Sequence, residues 1–199
     1  MPLNIAKTLL LEVDVQNDFC PTGALPVANG VAVIEPLNRL ADAIISLGGW
    51  VAASQDWHPK GHISFRELWP EHCVQGTEGA AFHRDLDQKP ISLVIRKGFR
   101  KELDSYSVFF ENDRTTSTGL EGWIRKLGIE TIVMGGLATD YCVFYSAIDG
   151  VNLGFNIIIA DDAVCGVGQP AGSIESSIMK MRTAGVRFLA SWEILEDFK

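Results

Sequence analysis

Five residues stand where short apolar runs give out, and their types could do chemistry together: Asp14, Asp56, His58, Lys97 and Cys142. Cys142 follows the turn Gly135-Gly136-Leu137-Ala138-Thr139-Asp140-Tyr141 and falls in the first turn of an expected helix. A helix N-terminus carries partial positive charge and unpaired N–H groups. That setting lowers a thiol pKa and favours the reactive thiolate, and the same N–H groups can hold a developing oxyanion. Asp14 sits inside an apolar run, where a carboxylate is costly unless it is paired or used. Nucleophile plus adjacent base is the signature of covalent catalysis. Asp56 and His58 alternate in an extended chain, so both face one side. With His72, in Trp69-Pro70-Glu71-His72-Cys73, they make two imidazoles and one carboxylate. That set suits zinc, iron or manganese. His62, Ser64 and Glu67 are nearby candidates for a further ligand or for holding a bound water, and His62 reads better as a polar residue supporting the loop. Each residue alone has a plainer reading: a satisfied turn carboxylate, surface groups, a solvated lysine. Their shared place at strand ends favours chemistry.

The elements that must position them alternate along the chain. Near-continuous apolar runs at 8–15, 50–54, 91–95, 131–134, 156–160 and 186–190 read as buried parallel strands. Helical spacing covers 31–47, 120–127, 140–149 and 173–183, stopped by Gly48-Gly49, Gly128, Gly150 and Gly185. This pattern predicts one domain over 1–199, a three-layer α/β/α fold with a six-stranded, mostly parallel sheet in the order 3-2-1-4-5-6. Such sheets bind ligands at the carboxyl ends of their strands, at the switch point between the first and fourth. That order brings Asp14 beside Cys142. It places the third strand two positions from the first, so Lys97 must reach inward by its long side chain or through a bent loop. The irregular stretch 57–90 is too long to be an idle connection.

Composition narrows the partners. The chain has 199 residues, a net charge of −8 and 47% hydrophobic residues. The acidic balance argues against nucleic acid or an anionic membrane surface. Residues 1–7 carry no signal-peptide pattern, and no apolar run nears the roughly 20 residues of a membrane span. A soluble, cytoplasmic protein is expected. The four cysteines, Cys20, Cys73, Cys142 and Cys165, show no Cys-x-x-Cys spacing and read as free thiols. Most free thiols are inert, and Cys73 reads as structural. A homo-oligomer is left open.

Six segments together resemble the nicotinamidases, within the isochorismatase-like cysteine hydrolases. They are Val13-Asp14-Val15-Gln16-Asn17-Asp18-Phe19, Ser54-Gln55-Asp56-Trp57-His58-Pro59, Trp69-Pro70-Glu71-His72-Cys73-Val74, Arg96-Lys97-Gly98, Asp104-Ser105-Tyr106-Ser107 and Gly136-Leu137-Ala138-Thr139-Asp140-Tyr141-Cys142-Val143. The resemblance spans roughly Thr8 to Trp192. It implies a catalytic triad of Asp14, Lys97 and Cys142, and one divalent metal, zinc ahead of iron or manganese, on Asp56, His58 and His72. It further implies a cis peptide before Ala138, an oxyanion hole from the Ala138 and Cys142 N–H groups, and a ring pocket lined by Phe19, Leu25, Trp69 and Tyr106. The implied reaction is hydrolysis of nicotinamide to nicotinic acid and ammonia. Hydrolases of ureido acids, carbamoyl compounds or vinyl ethers on the same scaffold, or a binding module, are the rival readings.

Overall fold

The computed structural model describes residues 3–198. The first strand, β1 (Thr8–Val13), is buried along its whole length. Its side chains alternate between two cores: Leu10 joins one, while Leu9, Leu11 and Val13 join the other. A strand covered on both faces needs helices above and below it, and the chain supplies them. Helices α1 (Ile34–Ser46) and α6 (Ser191–Glu196) cover one face, with Leu37, Leu40, Ile44 and Ile194 in its core. On the other face lie α3 (Leu120–Lys126), α4 (Cys142–Asn152) and α5 (Ser173–Thr183), through Leu120, Ile124, Val143, Ala147 and Met181. A four-residue helix, α2 (Ser64–Glu67), lies in the irregular stretch. None of the described helices is long and apolar enough to cross a membrane.

The remaining strands are β2 (Trp50–Asp56), β3 (Leu93–Lys97), β4 (Thr131–Leu137), β5 (Asn156–Cys165) and β6 (Arg187–Leu189). Their order is β3-β2-β1-β4-β5-β6, as expected, and every pair is parallel.

The boundaries shift in an informative way. Strands β2, β4 and β5 run two, three and five residues further than their apolar runs, to Asp56, Leu137 and Cys165. Gln55 and Asp56, Gly135 and Gly136, and Asp161 and Asp162 lie in these extensions, and such polar or glycine residues break the apolar run that marks a strand in sequence. β1 instead stops at Val13, because Asp14 takes a left-handed φ of 50° and turns out of the ladder. Gly150 does not close α4; it lies inside the helix, where a Cβ would come within 2.6 Å of Ile157 Cδ1. It is there for close packing on β5, and the chain turns at Gly154 instead.

Glu12 is an anomaly in this core. It is fully buried on β1, in register with Ala53 and Gly135, and neither carboxyl oxygen has a hydrogen-bond partner among the described residues. Burial, and then the nearby Asp87 charge, push its pKa from 4.5 up to about 8. The folded chain therefore holds a proton that the unfolded chain releases above pH 4.5. Stability is full below that value and is lost as pH rises through about 8. Glu12→Gln is expected to flatten this fall and to be more stable than the parent at pH 8, by roughly a few kcal/mol. Thermal melts of both proteins across pH 5–9 check it; parallel curves would refute the assignment.

Candidate active site

The carboxyl ends of β1, β2, β3 and β4 converge on a single lysine. Lys97 ends β3 and is fully buried. Its Nζ lies 2.8 Å from Asp14 Oδ2, closely contacts Asp56 Oδ1, donates to the Ser105 carbonyl at 3.2 Å and lies 3.4 Å from Cys142 Sγ. The reach across the sheet is achieved by the side chain. β2 separates β3 from β1, but no residue of β1 stands opposite Asp56, because their paired register ends at Glu12 and Ala53. Burial opposes the ammonium, yet the Asp14 and Asp56 carboxylates outweigh it and hold the Lys97 pKa well above the usual lysine value.

Asp14 is held from two sides. The Ser54 hydroxyl donates to Oδ1 at 2.7 Å. Oδ2 faces the Lys97 ammonium at 2.8 Å. Burial pushes the Asp14 carboxyl up, against the pull of Lys97.

Cys142 is the first residue of α4, and its thiol is buried. The helix end is one of several influences on this thiol. Burial pushes its pKa well above the usual thiol value, Lys97 pulls it down, and the Asp14 and Asp56 charges push it up again. Two carboxylates and one ammonium surround the sulfur, so the thiol form is favoured until a proton acceptor is used. Gly136 lets the turn ahead of it approach β1. It has φ 118°, and a Cβ there would fall 2.1 Å from the Val13 carbonyl oxygen. The Leu137–Ala138 peptide is cis. The Ala138 and Cys142 N–H groups have no acceptor among the described residues.

Asp56 links this cluster to a second one. While Oδ1 meets Lys97, Oδ2 lies 3.7 Å from His58 Nε2 and 4.0 Å from His72 Nε2. Both rings are fixed through their other nitrogen: His58 Nδ1 donates to the Gly98 carbonyl at 2.9 Å, and His72 Nδ1 to the Pro70 carbonyl at 2.8 Å. Such ties set the tautomer and present Nε2 as a ligand. Gly98 must be glycine, since a Cβ would fall 2.5 Å from the His58 ring. Donor atoms of Asp56, His58 and His72 all lie within 4.8 Å of one another, a set that fits one divalent cation. His62 stands apart from this trio. It stacks on His58 at 4.2 Å, donates from Nε2 to the Leu103 carbonyl at 3.2 Å, and accepts from the Ser64 N–H. Its own grouping is with His58 and Asp104. Ser64 Oγ is buried without a partner among the described residues, and the Glu67 side chain lies outside them.

Above the two clusters opens a small cavity. Its walls include Phe19, Leu25, Trp69 and Tyr106, and its floor carries Ala138, Cys142, Asp56, His58 and His72. Phe19 leans on the His72 ring at 5.6 Å, while Trp69 meets Tyr141 edge-on at 5.1 Å and donates from its indole to the Tyr106 hydroxyl at 3.2 Å.

An isochorismatase domain model matches residues 8–191. The chain belongs to this isochorismatase domain family. Among its relatives in the family, the nicotinamidase of Escherichia coli (strain K12) is 42% identical, over 92% of this chain and 96% of that protein. Among solved structures, a nicotinamidase–pyrazinamidase of Acinetobacter baumanii superposes with a TM-score of 0.90 at 39% identity, covering 95% of this chain and 98% of that one. A pyrazinamidase of Pyrococcus horikoshii, in complex with zinc, superposes with a TM-score of 0.82 at 34% identity, covering 92% and 99%.

Within this isochorismatase domain the structure adds groups that residue types alone do not single out. Tyr141, Leu137, Val27 and Val167 also wall the cavity. Ser54 and the shared role of Asp56 depend on contacts across the sheet. Tyr141 and Leu137 had a readable signal, since both lie in the turn that leads to Cys142.

Proposed function

We infer that this chain is a nicotinamidase, hydrolysing nicotinamide to nicotinic acid and ammonia in NAD salvage, and that it also cleaves pyrazinamide. One observation carries the reading: a buried thiol, carboxylate and ammonium meet at the floor of an aromatic-walled cavity whose other floor residues are a carboxylate and two imidazoles. Asp14, Lys97 and Cys142 form the triad, within one hydrolase domain working in the cytoplasm; the four free thiols suit a reducing compartment.

In the proposed sequence, Asp14 Oδ2 takes the proton of Cys142 as the sulfur bonds to the carboxamide carbon. The carbonyl electron pair moves onto oxygen, where the Ala138 and Cys142 N–H groups hold it; such donors are worth about 3–4 kcal/mol each in comparable sites. Lys97 stays protonated and offsets the charge on sulfur. The intermediate collapses, the C–N bond breaks, and Asp14 returns its proton to the leaving nitrogen as ammonia. Water then attacks the thioester while Asp14 accepts its proton, and the thiol reforms on release of the acid. Phe19, Leu25, Trp69 and Tyr106 sandwich the ring. Asp56, His58 and His72 would hold one divalent cation, zinc ahead of iron or manganese, which supplies a Lewis-acid contact for the ring nitrogen.

Stoichiometric ammonia and nicotinic acid from nicotinamide test the reading. Turnover of a ureido or carbamoyl acid with none of nicotinamide would overturn it. Chelating the metal is expected to raise KM for nicotinamide several-fold, more than it lowers kcat. An unchanged KM in metal-free enzyme counts against the orienting role.

A further inference from the structure

Asp56 has to serve two neighbours at once, and its own backbone has lost half its support. On the β3 side the ladder is intact: Asp56 pairs with Lys97, and the Trp57 N–H donates to the Lys97 carbonyl at 2.9 Å. On the β1 side the ladder's last bond runs from the Asp14 N–H to the Ser54 carbonyl at 3.2 Å. Beyond it, Asp14 turns away, and its carbonyl is taken by the Gln16 N–H at 2.8 Å. The Asp56 N–H and C=O would face an empty strand position, buried and unpaired, which is costly.

The Gln16 side chain fills that position. Oε1 accepts from the Asp56 N–H at 2.8 Å, and Nε2 donates to the Asp56 carbonyl at 2.8 Å. The second Nε2 hydrogen goes to the Ala80 carbonyl at 2.9 Å. Two carbonyls on one end and an N–H on the other allow a single orientation of the amide. The side chain is fully buried. It acts as a surrogate peptide group, continuing β1 beside β2 for one more residue and tying Asp56 also to the Ala80 loop.

We propose that Gln16 is a positioning residue which, by clamping the Asp56 peptide on both its polar groups, fixes the Asp56 carboxylate between Lys97 and the His58–His72 pair. The inference rests on the proposed roles of Asp56 as metal ligand and as partner of the catalytic lysine. Because one carboxylate serves both clusters, loosening it affects metal binding and turnover together. Stripping the metal from the parent protein is expected to change mainly KM. A packing role alone would lower thermal stability and leave the affinity of folded protein for metal unchanged.

The test uses the purified full chain with zinc alone, titrated against a competing chromophoric chelator, beside kcat and KM for nicotinamide and a thermal melt. Gln16→Met keeps length and removes all three hydrogen bonds; Gln16→Glu keeps the acceptor and sets carboxylate oxygen against two carbonyls. Both are expected to bind zinc at least about tenfold more weakly, with kcat falling as well as KM rising. Either variant, folded and with parental zinc affinity and kcat, overturns the proposal. Asp56→Asn separates the two levels. If it keeps zinc affinity and activity, the reading of the site itself is wrong; if it loses both while the Gln16 variants lose neither, only the clamp is wrong.

Discussion

Cys142→Ala is expected to abolish ammonia release from nicotinamide, a loss in kcat on the order of 10³-fold or more, while the protein stays folded. The reason is specific to this thiol. Cys73 is as deeply buried and adjoins His72, but it is absent from the cavity lining, and its backbone is held in a left-handed φ of 46° with its N–H donating to Asp18 Oδ2 at 2.7 Å. Cys20 and Cys165 lack a charged partner: burial alone raises their thiol pKa. Cys142 has Lys97 Nζ at 3.4 Å and the Asp14 carboxylate beside it, on the cavity floor. Cys73→Ala, Cys20→Ala and Cys165→Ala are therefore the controls and should keep most activity. Cys142→Ser should not rescue, since a hydroxyl gives up its proton to a carboxylate far less readily than a thiol does. Turnover assays on all five variants, with circular dichroism for folding, decide it. Substantial residual turnover by Cys142→Ala would remove the thiol from the mechanism.

Much of this was legible in the sequence because of where parallel sheets put ligands. Apolar runs located the strands, and the strand ends located Asp14, Asp56, Lys97 and Cys142. The order 3-2-1-4-5-6 then placed the first and fourth strands together. What stayed hidden depended on groups far apart in the chain. Periodicity cannot say that Asp56 divides its two oxygens between Lys97 and a histidine pair, or that Gln16 stands in for a missing strand residue. Nor can it say that β1 ends at Val13, with Asp14 turned out of the ladder. The thiol's surroundings were only half legible for a related reason. A helix end is visible in sequence, whereas two buried carboxylates near the same sulfur are a property of the assembled fold. Glu12 shows the opposite limit: as a charged residue in an apolar run it reads like Asp14, and only its position, with no partner for either oxygen among the described residues, separates a burden on stability from a candidate base.

Lys97→Met is expected to cost both stability and turnover, and the two losses should come apart in a double variant. In the parent, one buried ammonium sits between the carboxylates of Asp14 and Asp56. Removing it leaves like charges facing each other without water. Breaking one side of a buried ion pair costs about 3–5 kcal/mol, which for a domain of this size is a fall in Tm on the order of 10 °C. Protonation of Asp14 relieves part of the strain and at the same stroke disables the base, so kcat should fall by orders of magnitude even in the folded fraction. Lys97→Arg should not restore it, because a guanidinium needs more room and a different donor geometry than this closed site offers. In Asp14→Asn/Lys97→Met the repulsion is gone. Its Tm should recover by at least half of the single variant's loss, while ammonia release stays absent. That non-additivity is the measurement of interest, since residues acting as one unit do not contribute separately. If the double variant instead melts as low as the two single losses summed, Lys97 is packing the site rather than balancing its charge, and the role given to its ammonium in the thiol's activation fails with it.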